Sequence, residues 1–334
     1  MKKLRKAVLP LIITLLLLLT LEAAVRVLRP GINFQGLESK LLRRGPSVPG
    51  KHAFVPNSEG VCFGKRVLID EAGCRKLDGP ETYAATWLIL GDSVAFGVGV
   101  ETPDTYAQLL QNEFPSVKVR NTSVPGYSLK DYRDVLNHHL AAAESATGGD
   151  RIENVLLFFC LNDVDMGGQA WQPNQARTRT EGVLSFLRRN SKLYLFVKSV
   201  AADRSKSFFT YDYQLYEKGG PRLAETLNLF GEMADALRRR NVNLLVVLQP
   251  YEYQVRTREP AHLLPQRTVA AFLEAKGISY LDAYEDFVRA GADSDEYYLY
   301  ADHAHFSERG HRVVFDAVMR RLGGRAAAPT FPAR

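Results

Sequence analysis

Apolar residues along this chain fall into three regimes. At the N-terminus, Ala7 to Leu21 is an uncharged, Leu-rich run that, with Glu22 admitted near its far end, reaches Val25. The resulting 19 residues are about the length needed to cross a bilayer. Between residues 26 and 60, prolines and glycines in RVLRPGINFQG and GPSVPGK break any periodicity, which predicts a stalk. From Val61 onward, short apolar strands alternate with helical patterns. Thr86–Gly91, Val117–Val124, Val155–Leu161, Val242–Leu248 and Ile278–Leu281 read as strands. The third is apolar throughout, as expected when both faces of a strand are covered.

Helix signals lie between these strands. Thr102-Pro103 supplies an N-cap and a first-position proline for TYAQLLQNEF. Ser128 and Asp131 make a capping-box-like start for a helix to about Glu144. Helices near Arg222–Arg240 and Leu264–Lys276 precede the last two strands, and Ser307 caps ERGHRVVFDAVMRRL. Repeating strand–helix units predict an α/β fold, a three-layer flavodoxin-like parallel sheet with helices on both faces, preceded by an N-terminal transmembrane helix. The aromatic-rich interval from about 164 to 220 interrupts the pattern and predicts an insertion of one or two helices. The expected organisation is thus a basic tail at 1–6, an anchor at 7–25, a stalk at 26–60 and one domain at 61–330.

Charge sharpens the N-terminal reading. Residues 1–45 hold nine Lys/Arg against two acids, +7 beside a whole-chain charge of +6, so the remainder stands at −1. The basic balance is therefore a terminal feature and predicts no nucleic-acid partner. MKKLRK ahead of the apolar run predicts a cytoplasmic N-terminus and a periplasmic or otherwise extracytoplasmic domain, with the membrane as a partner through that helix. A cleaved signal peptide competes with this reading. Leu21-Glu22-Ala23 and Glu22-Ala23-Ala24 are poor small-x-small sites, which favours an uncleaved signal anchor. Export would place the cysteines in an oxidising compartment, where Cys62 and Cys74, flanking an expected hairpin, are candidates for a disulfide. Cys160, in VLLFFC, reads as a buried thiol. Three cysteines without CxxC spacing predict no metal site, and no cofactor is implied.

In open α/β sheets, ligand sites sit beyond the carboxyl ends of the strands. Ser93, Gly126 and Asn162 each follow one of the first three strands. Ser93 lies in WLILGDSVAFG, and near the C-terminus DHAHFSERGH supplies Asp302 and His305. A serine hydroxyl becomes a nucleophile when an imidazole takes its proton, and the imidazole needs a carboxylate to fix its tautomer. Gly-Asp-Ser is often a mere turn and Asp-x-x-His occurs by chance, but together they form the parts of a hydrolytic triad. His303 competes with His305 as the base. Asp92 and Asp163 read as braces of their turns, and His311 as packing. Ala95 stands where a G-x-S-x-G elbow requires its second glycine, which excludes an ordinary α/β-hydrolase elbow.

Over roughly Leu68 to Leu322, these motifs resemble the SGNH (GDSL-like) hydrolase superfamily in content and order: GDS with Ser93, NTSVPGYS with Gly126, CLND with Asn162, and DHAHFS with Asp302 and His305. The resemblance implies a Ser93 nucleophile, a His305 base oriented by Asp302, and an oxyanion hole from Ser93, Gly126 and Asn162. One departure is Cys160, where the third motif usually carries glycine. LIDEAGCRK resembles exported, membrane-tethered members that act on envelope acyl groups. The expected function is a serine esterase acting on acyl esters, such as acetyl, of an envelope carbohydrate or lipid. An O-acyltransferase using the same acyl-enzyme is the first alternative, and a non-catalytic carbohydrate-binding or scaffold protein the second.

Overall fold

A computed structural model of the chain describes residues 2–48, 51–145, 151–164, 179–300, 302 and 304–323. In chain order, α1 (Lys2–Leu28) is followed by two antiparallel ribbons, β1 (Leu42–Arg44) with β2 (His52–Phe54) and β3 (Glu59–Cys62) with β4 (Lys65–Leu68). The main domain then runs β5 (Ala85–Leu90), α2 (Ser93–Phe96), α3 (Tyr106–Glu113), β6 (Val117–Asn121), α4 (Leu129–Ser145) and β7 (Ile152–Phe159). Three helices follow: α5 (Arg179–Asn190), α6 (Lys192–Ala201) and α7 (Arg204–Lys218). The chain continues with α8 (Pro221–Arg238), β8 (Asn243–Leu248), α9 (Glu252–Thr257), α10 (Leu264–Ala275), β9 (Ser279–Asp282), α11 (Tyr284–Ala290) and α12 (Glu308–Arg321).

The five long strands form one parallel sheet in the order β6-β5-β7-β8-β9, the doubly wound order of flavodoxin-like folds. Period-two alternation divides the core. Trp87, Ile89, Leu156 and Phe158 point to one face, where α3, α11 and α12 cover them. Leu88, Leu90, Leu157 and Phe159 point to the other, beneath α4, α8 and α10. Two covered faces explain why these strands lack a polar alternate. Order reverses around β5, and the first three strand ends there open the crevice that holds the site.

Local chemistry sets the helix starts. Ser307 Oγ accepts from Gly310 N and caps α12. Asp131 Oδ2 accepts from Ser128 N at 2.8 Å at the head of α4. The expected cap at Thr102 differs: Thr102–Asp104 forms a 3-10 turn, and Thr105 caps α3 instead.

Three expectations are corrected. Residues 26–60 are not a free stalk. Ile32, Leu41, Val48 and Phe54 are each at most 3% exposed, and Phe54 stacks on Phe96 with ring centroids 4.8 Å apart. Each ribbon strand is only three or four residues long, too short to give a periodic signal. The insertion contains three helices in its described part rather than one or two, and residues 165–178 of it lie outside the described residues. Cys62 and Cys74 are both buried free thiols, not a disulfide. The hairpin exists, but its turn is at Phe63-Gly64, with Cys62 opposite Lys65. Cys74 lies beyond the open end, where its carbonyl accepts from Asp70 N. Three strand residues of about 3.3 Å each separate those ends, more than the roughly 7 Å Cα reach of a disulfide.

Among the described residues one helix, Val8–Leu28, is long and apolar enough to cross a membrane. Its side chains from Val8 to Leu21 are all exposed.

Candidate active site

The end of β5 turns sharply at Gly91. A Cβ there would come within 2.3 Å of the Ala95 side chain, so this close approach demands glycine. Asp92 Oδ1 then accepts from Val94 N at 2.8 Å and caps α2, which puts Ser93 at the mouth of the crevice. Gly126, after β6, has φ +83°, a left-handed conformation that other residues rarely adopt. Asn162, after β7, sits in a 3-10 turn fixed by Asp163, whose carboxylate accepts from Cys160 N and Tyr132 Oη at 2.7 Å each. Burial pushes the Asp163 carboxyl well above the usual carboxylate range, and the charge of Asp92 adds to this.

The segment before α12 closes the site. Asp302 Oδ1 accepts from the backbone N–H groups of Ala304 and His305 and lies 2.7 Å from His305 Nδ1. His305 Nε2 lies 2.8 Å from Ser93 Oγ. An ionised carboxylate only accepts, so Nδ1 carries the ring proton and Nε2 is left to accept from the Ser93 hydroxyl. Burial alone would raise the Asp302 carboxyl, but the His305 imidazole and the hydrogen bonds to Oδ1 outweigh it and push Asp302 down to about 2. Burial alone would lower His305. Asp302 beside it wins, and the imidazole stands above its ordinary 6.5.

Ser93, Gly126, Asn162, Asp302 and His305 therefore line a single cavity of about 370 Å³. His303 lies outside the described residues. His311 is 1% exposed and its Nδ1 accepts from Tyr106 N, while burial pushes its pKa down to about 3. The Cys160 thiol is 2% exposed and donates to Gln249 Oε1 at 3.0 Å, away from the cavity lining. Burial holds it protonated, with Asp92 contributing. Among the described residues no group of three or more His, Cys, Asp or Glu is placed to hold a metal.

Several residues at the site escaped the sequence reading. Arg75 is 1% exposed and donates to the carbonyls of Phe96, Gly97 and Val100 at 2.6–2.7 Å, clamping the segment behind Ser93. Burial pushes its pKa down to about 10. Phe63, at the β3–β4 turn with φ +51°, meets the His305 ring edge-on at 5.3 Å. Lys51 lines the cavity and pairs with Asp131 at 3.2 Å. Tyr251 Oη lies 2.6 Å from Asp212 Oδ2 and 3.2 Å from Asn162 Oδ1, joining α7 to the Asn162 amide. Phe208 and Tyr211, in the aromatic-rich run that the sequence did single out, stand on α7 at the cavity edge, 43% and 65% exposed. The sequence offered no signal for Arg75, since CRK within a hairpin region looks like ordinary solvated charge.

A hydroxyl, an imidazole and a carboxylate in hydrogen-bonded series at the carboxyl edge of a doubly wound sheet define a serine hydrolase of the α/β class. Residues 89–313 match the family model described as GDSL-like Lipase/Acylhydrolase family. The chain belongs to that family and is an ester-hydrolysing enzyme. No curated protein matches it in sequence. Solved structures similar to it include a lipolytic protein of the G-D-S-L family from Veillonella parvula, at 14% identity and TM-score 0.42, covering 71% of this chain and 97% of that one. Another is the acetylxylan esterase Axe2 from Geobacillus stearothermophilus, at 14% identity and TM-score 0.43, covering 72% of this chain and 95% of that one. A third is TesA, at 15% identity and TM-score 0.44, covering 71% and 98%.

Proposed function

We propose that the enzyme removes an acyl group, such as acetyl, from an envelope carbohydrate or lipid, with α1 as an uncleaved anchor and the catalytic domain outside the cytoplasm. The observation that carries the catalytic part is the Asp302–His305–Ser93 series, with contacts of 2.7 and 2.8 Å. Ser93 Oγ attacks the ester carbonyl carbon while His305 Nε2 takes its proton. The oxyanion forms against Ser93, Gly126 and Asn162, whose preorganised donors are worth roughly 3–4 kcal/mol each. The C–O bond to the alcohol breaks as His305 returns the proton to the leaving oxygen, leaving an acyl group on Ser93. Water then attacks, gives a proton to His305, and the tetrahedral carbon expels Ser93 Oγ, which recovers that proton. The exposed apolar run from Val8 to Leu21, preceded by MKKLRK, supports the anchor and its orientation.

A transferase would follow the same path to the acyl-enzyme and differ only when a sugar hydroxyl replaces water. Tyr211, 65% exposed at the cavity edge, offers a face on which a sugar ring stacks. The test is hydrolysis of p-nitrophenyl acetate by the full chain with and without an added sugar acceptor. The esterase reading expects acetate release that Ser93→Ala abolishes. Acyl-sugar formed at the expense of acetate would favour the transferase, and turnover undiminished in Ser93→Ala would overturn both.

A further inference from the structure

Helix α6 joins two places far apart in sequence, the end of α1 and the loop that carries Asp302. Glu22 supplies the first junction. Its carboxylate accepts from Lys192 N at 3.0 Å, Leu193 N at 2.9 Å and Ser191 Oγ at 2.8 Å, so an acid on α1 satisfies the first two open N–H groups of α6. Arg26 pairs with Glu22 at 2.7 Å and donates to Asn190 O, and Lys192 Nζ donates to Pro30 O. An apolar cluster continues the seam, with Ile32 and Leu195 buried and Val25, Phe34 and Tyr300 packed on them. At the other end of α6, Ser199 Oγ lies 3.1 Å from Tyr300 Oη, two residues before Asp302. A ten-residue helix rises only about 15 Å. The anchor and the catalytic loop are therefore coupled through one short rigid strut, not through a flexible tether.

Two further observations say what faces this strut. Because α6 holds Glu22, the uncharged stretch left to span the bilayer is Ala7 to Leu21, 15 residues. These rise about 22 Å, short of the roughly 30 Å hydrocarbon layer. A short span draws its flanking groups toward the bilayer edge, and here the flanking group is the head of α6. Residues 179–206 also hold seven Lys/Arg against two acids, in a chain whose residues beyond 45 sum to −1. Exposed Val183 and Phe186 of α5 and Val197 and Val200 of α6 share this segment with the exposed cations Arg188, Arg189 and Lys206. Cations interleaved with exposed apolar side chains complement an anionic lipid surface.

We infer that α1, α5 and α6 form one unit that holds the catalytic site against the bilayer surface, so that the ester it cleaves is membrane-borne, on the headgroup of a lipid or lipid-linked saccharide. This rests on the anchor and esterase readings above and narrows the substrate to esters within reach of the headgroup layer.

The test uses the full chain in phosphatidylglycerol-containing vesicles, with two esters: soluble p-nitrophenyl acetate and an O-acetylated octadecyl glucoside embedded in the same vesicles. The wild type should cleave both. Glu22→Leu removes the carboxylate that accepts from Lys192 N and Leu193 N, leaving only the Ser191 cap on Tyr194 N, and should lower the embedded-to-soluble rate ratio at least tenfold, with the soluble rate unchanged. Glu22→Gln, which keeps one acceptor oxygen, should fall between. Environment-sensitive labels at Leu16→Cys, Val200→Cys and Lys276→Cys read position directly, because the three native thiols are buried. Spin-labelled lipid should quench the first two labels and not the third. If neither ester is cleaved, the esterase reading fails. If the Leu16→Cys label is unquenched, the anchor fails. With both of those readings upheld, three results overturn this inference: an unchanged rate ratio in Glu22→Leu, a Val200→Cys label as exposed as that at Lys276→Cys, or one shielded only when envelope proteins are added.

Discussion

The cavity has two walls of different origin. One comprises the carboxyl ends of β5, β6 and β7, which present Ser93, Gly126 and Asn162. The other comprises the lead-in ribbons and the α7 insertion, which present Lys51, Tyr211 and Asp212 to the cavity and Phe63 to the His305 ring. In the first wall, the sheet's topology fixes where each group must stand, and a turn residue after a strand is enough to place it. In the second, short elements are held by contacts with the first wall, such as Phe54 on Phe96 and Tyr127 Oη on the His52 carbonyl at 2.6 Å. The contrast suggests that the strand-end wall carries the chemistry and the second wall carries shape, access and support.

Substitutions that break this division should show the largest effects where Asp302 and His305, on the segment before α12, meet Ser93 of the strand-end wall. His305→Ala leaves Ser93 without a proton acceptor, and kcat on p-nitrophenyl acetate should fall about a thousandfold or more. Asp302→Asn removes the carboxylate that fixes the ring tautomer, and a loss of up to about 10⁴-fold is expected. The same variant bears on pH. Asp302 holds His305 above 6.5, and the base form exists only above the folded value, so kcat/KM should fall as pH drops through a midpoint higher than 6.5. In Asp302→Asn that midpoint should move down. A wild-type midpoint below 6.5 would contradict the geometry.

Asn162→Ala should cost about 10²–10³-fold in kcat by removing one oxyanion donor. Tyr251→Phe sits where the walls meet. Without the hydroxyl that bridges Asp212 and Asn162, kcat should fall about tenfold at constant KM. Asp212→Asn added to it should cost little more, since both act through one amide. Additive losses would separate Asp212 from Asn162 and weaken the two-wall picture.

On the second wall, Phe54→Ala should lower the unfolding free energy by about 3–5 kcal/mol while sparing kcat of the folded enzyme, as read by urea denaturation beside activity. A stability change under about 0.5 kcal/mol would restore the stalk.

Legibility in the sequence follows the same division. Ser307 and the Ser128–Asp131 pair announced α12 and α4 because capping chemistry is local. Apolar runs announced the central strands β5, β7 and β8 because both of their faces are covered. Asp302 and His305 were legible because one stretch of four residues carries both the carboxylate and the ring. Phe63 and Arg75 were not, because their roles depend on long-range contacts of short ribbons, and Arg75 becomes a clamp only once it is buried. The Cys62–Cys74 pairing failed for a similar reason: twelve residues of separation allow a bond, but the register of β3 with β4 sets the two thiols at opposite ends of the hairpin. Asp212 lay in a run read only for its aromatic residues, and the partner that gives it meaning, Tyr251, arrives 39 residues later.

The most direct measurement of the central claim is to label the full chain with a fluorophosphonate and locate the adduct by peptide mass mapping. The account predicts one phosphonylated residue, Ser93, formed more slowly in His305→Ala and absent in Ser93→Ala. An adduct on another residue, or labelling undiminished in Ser93→Ala, would contradict it.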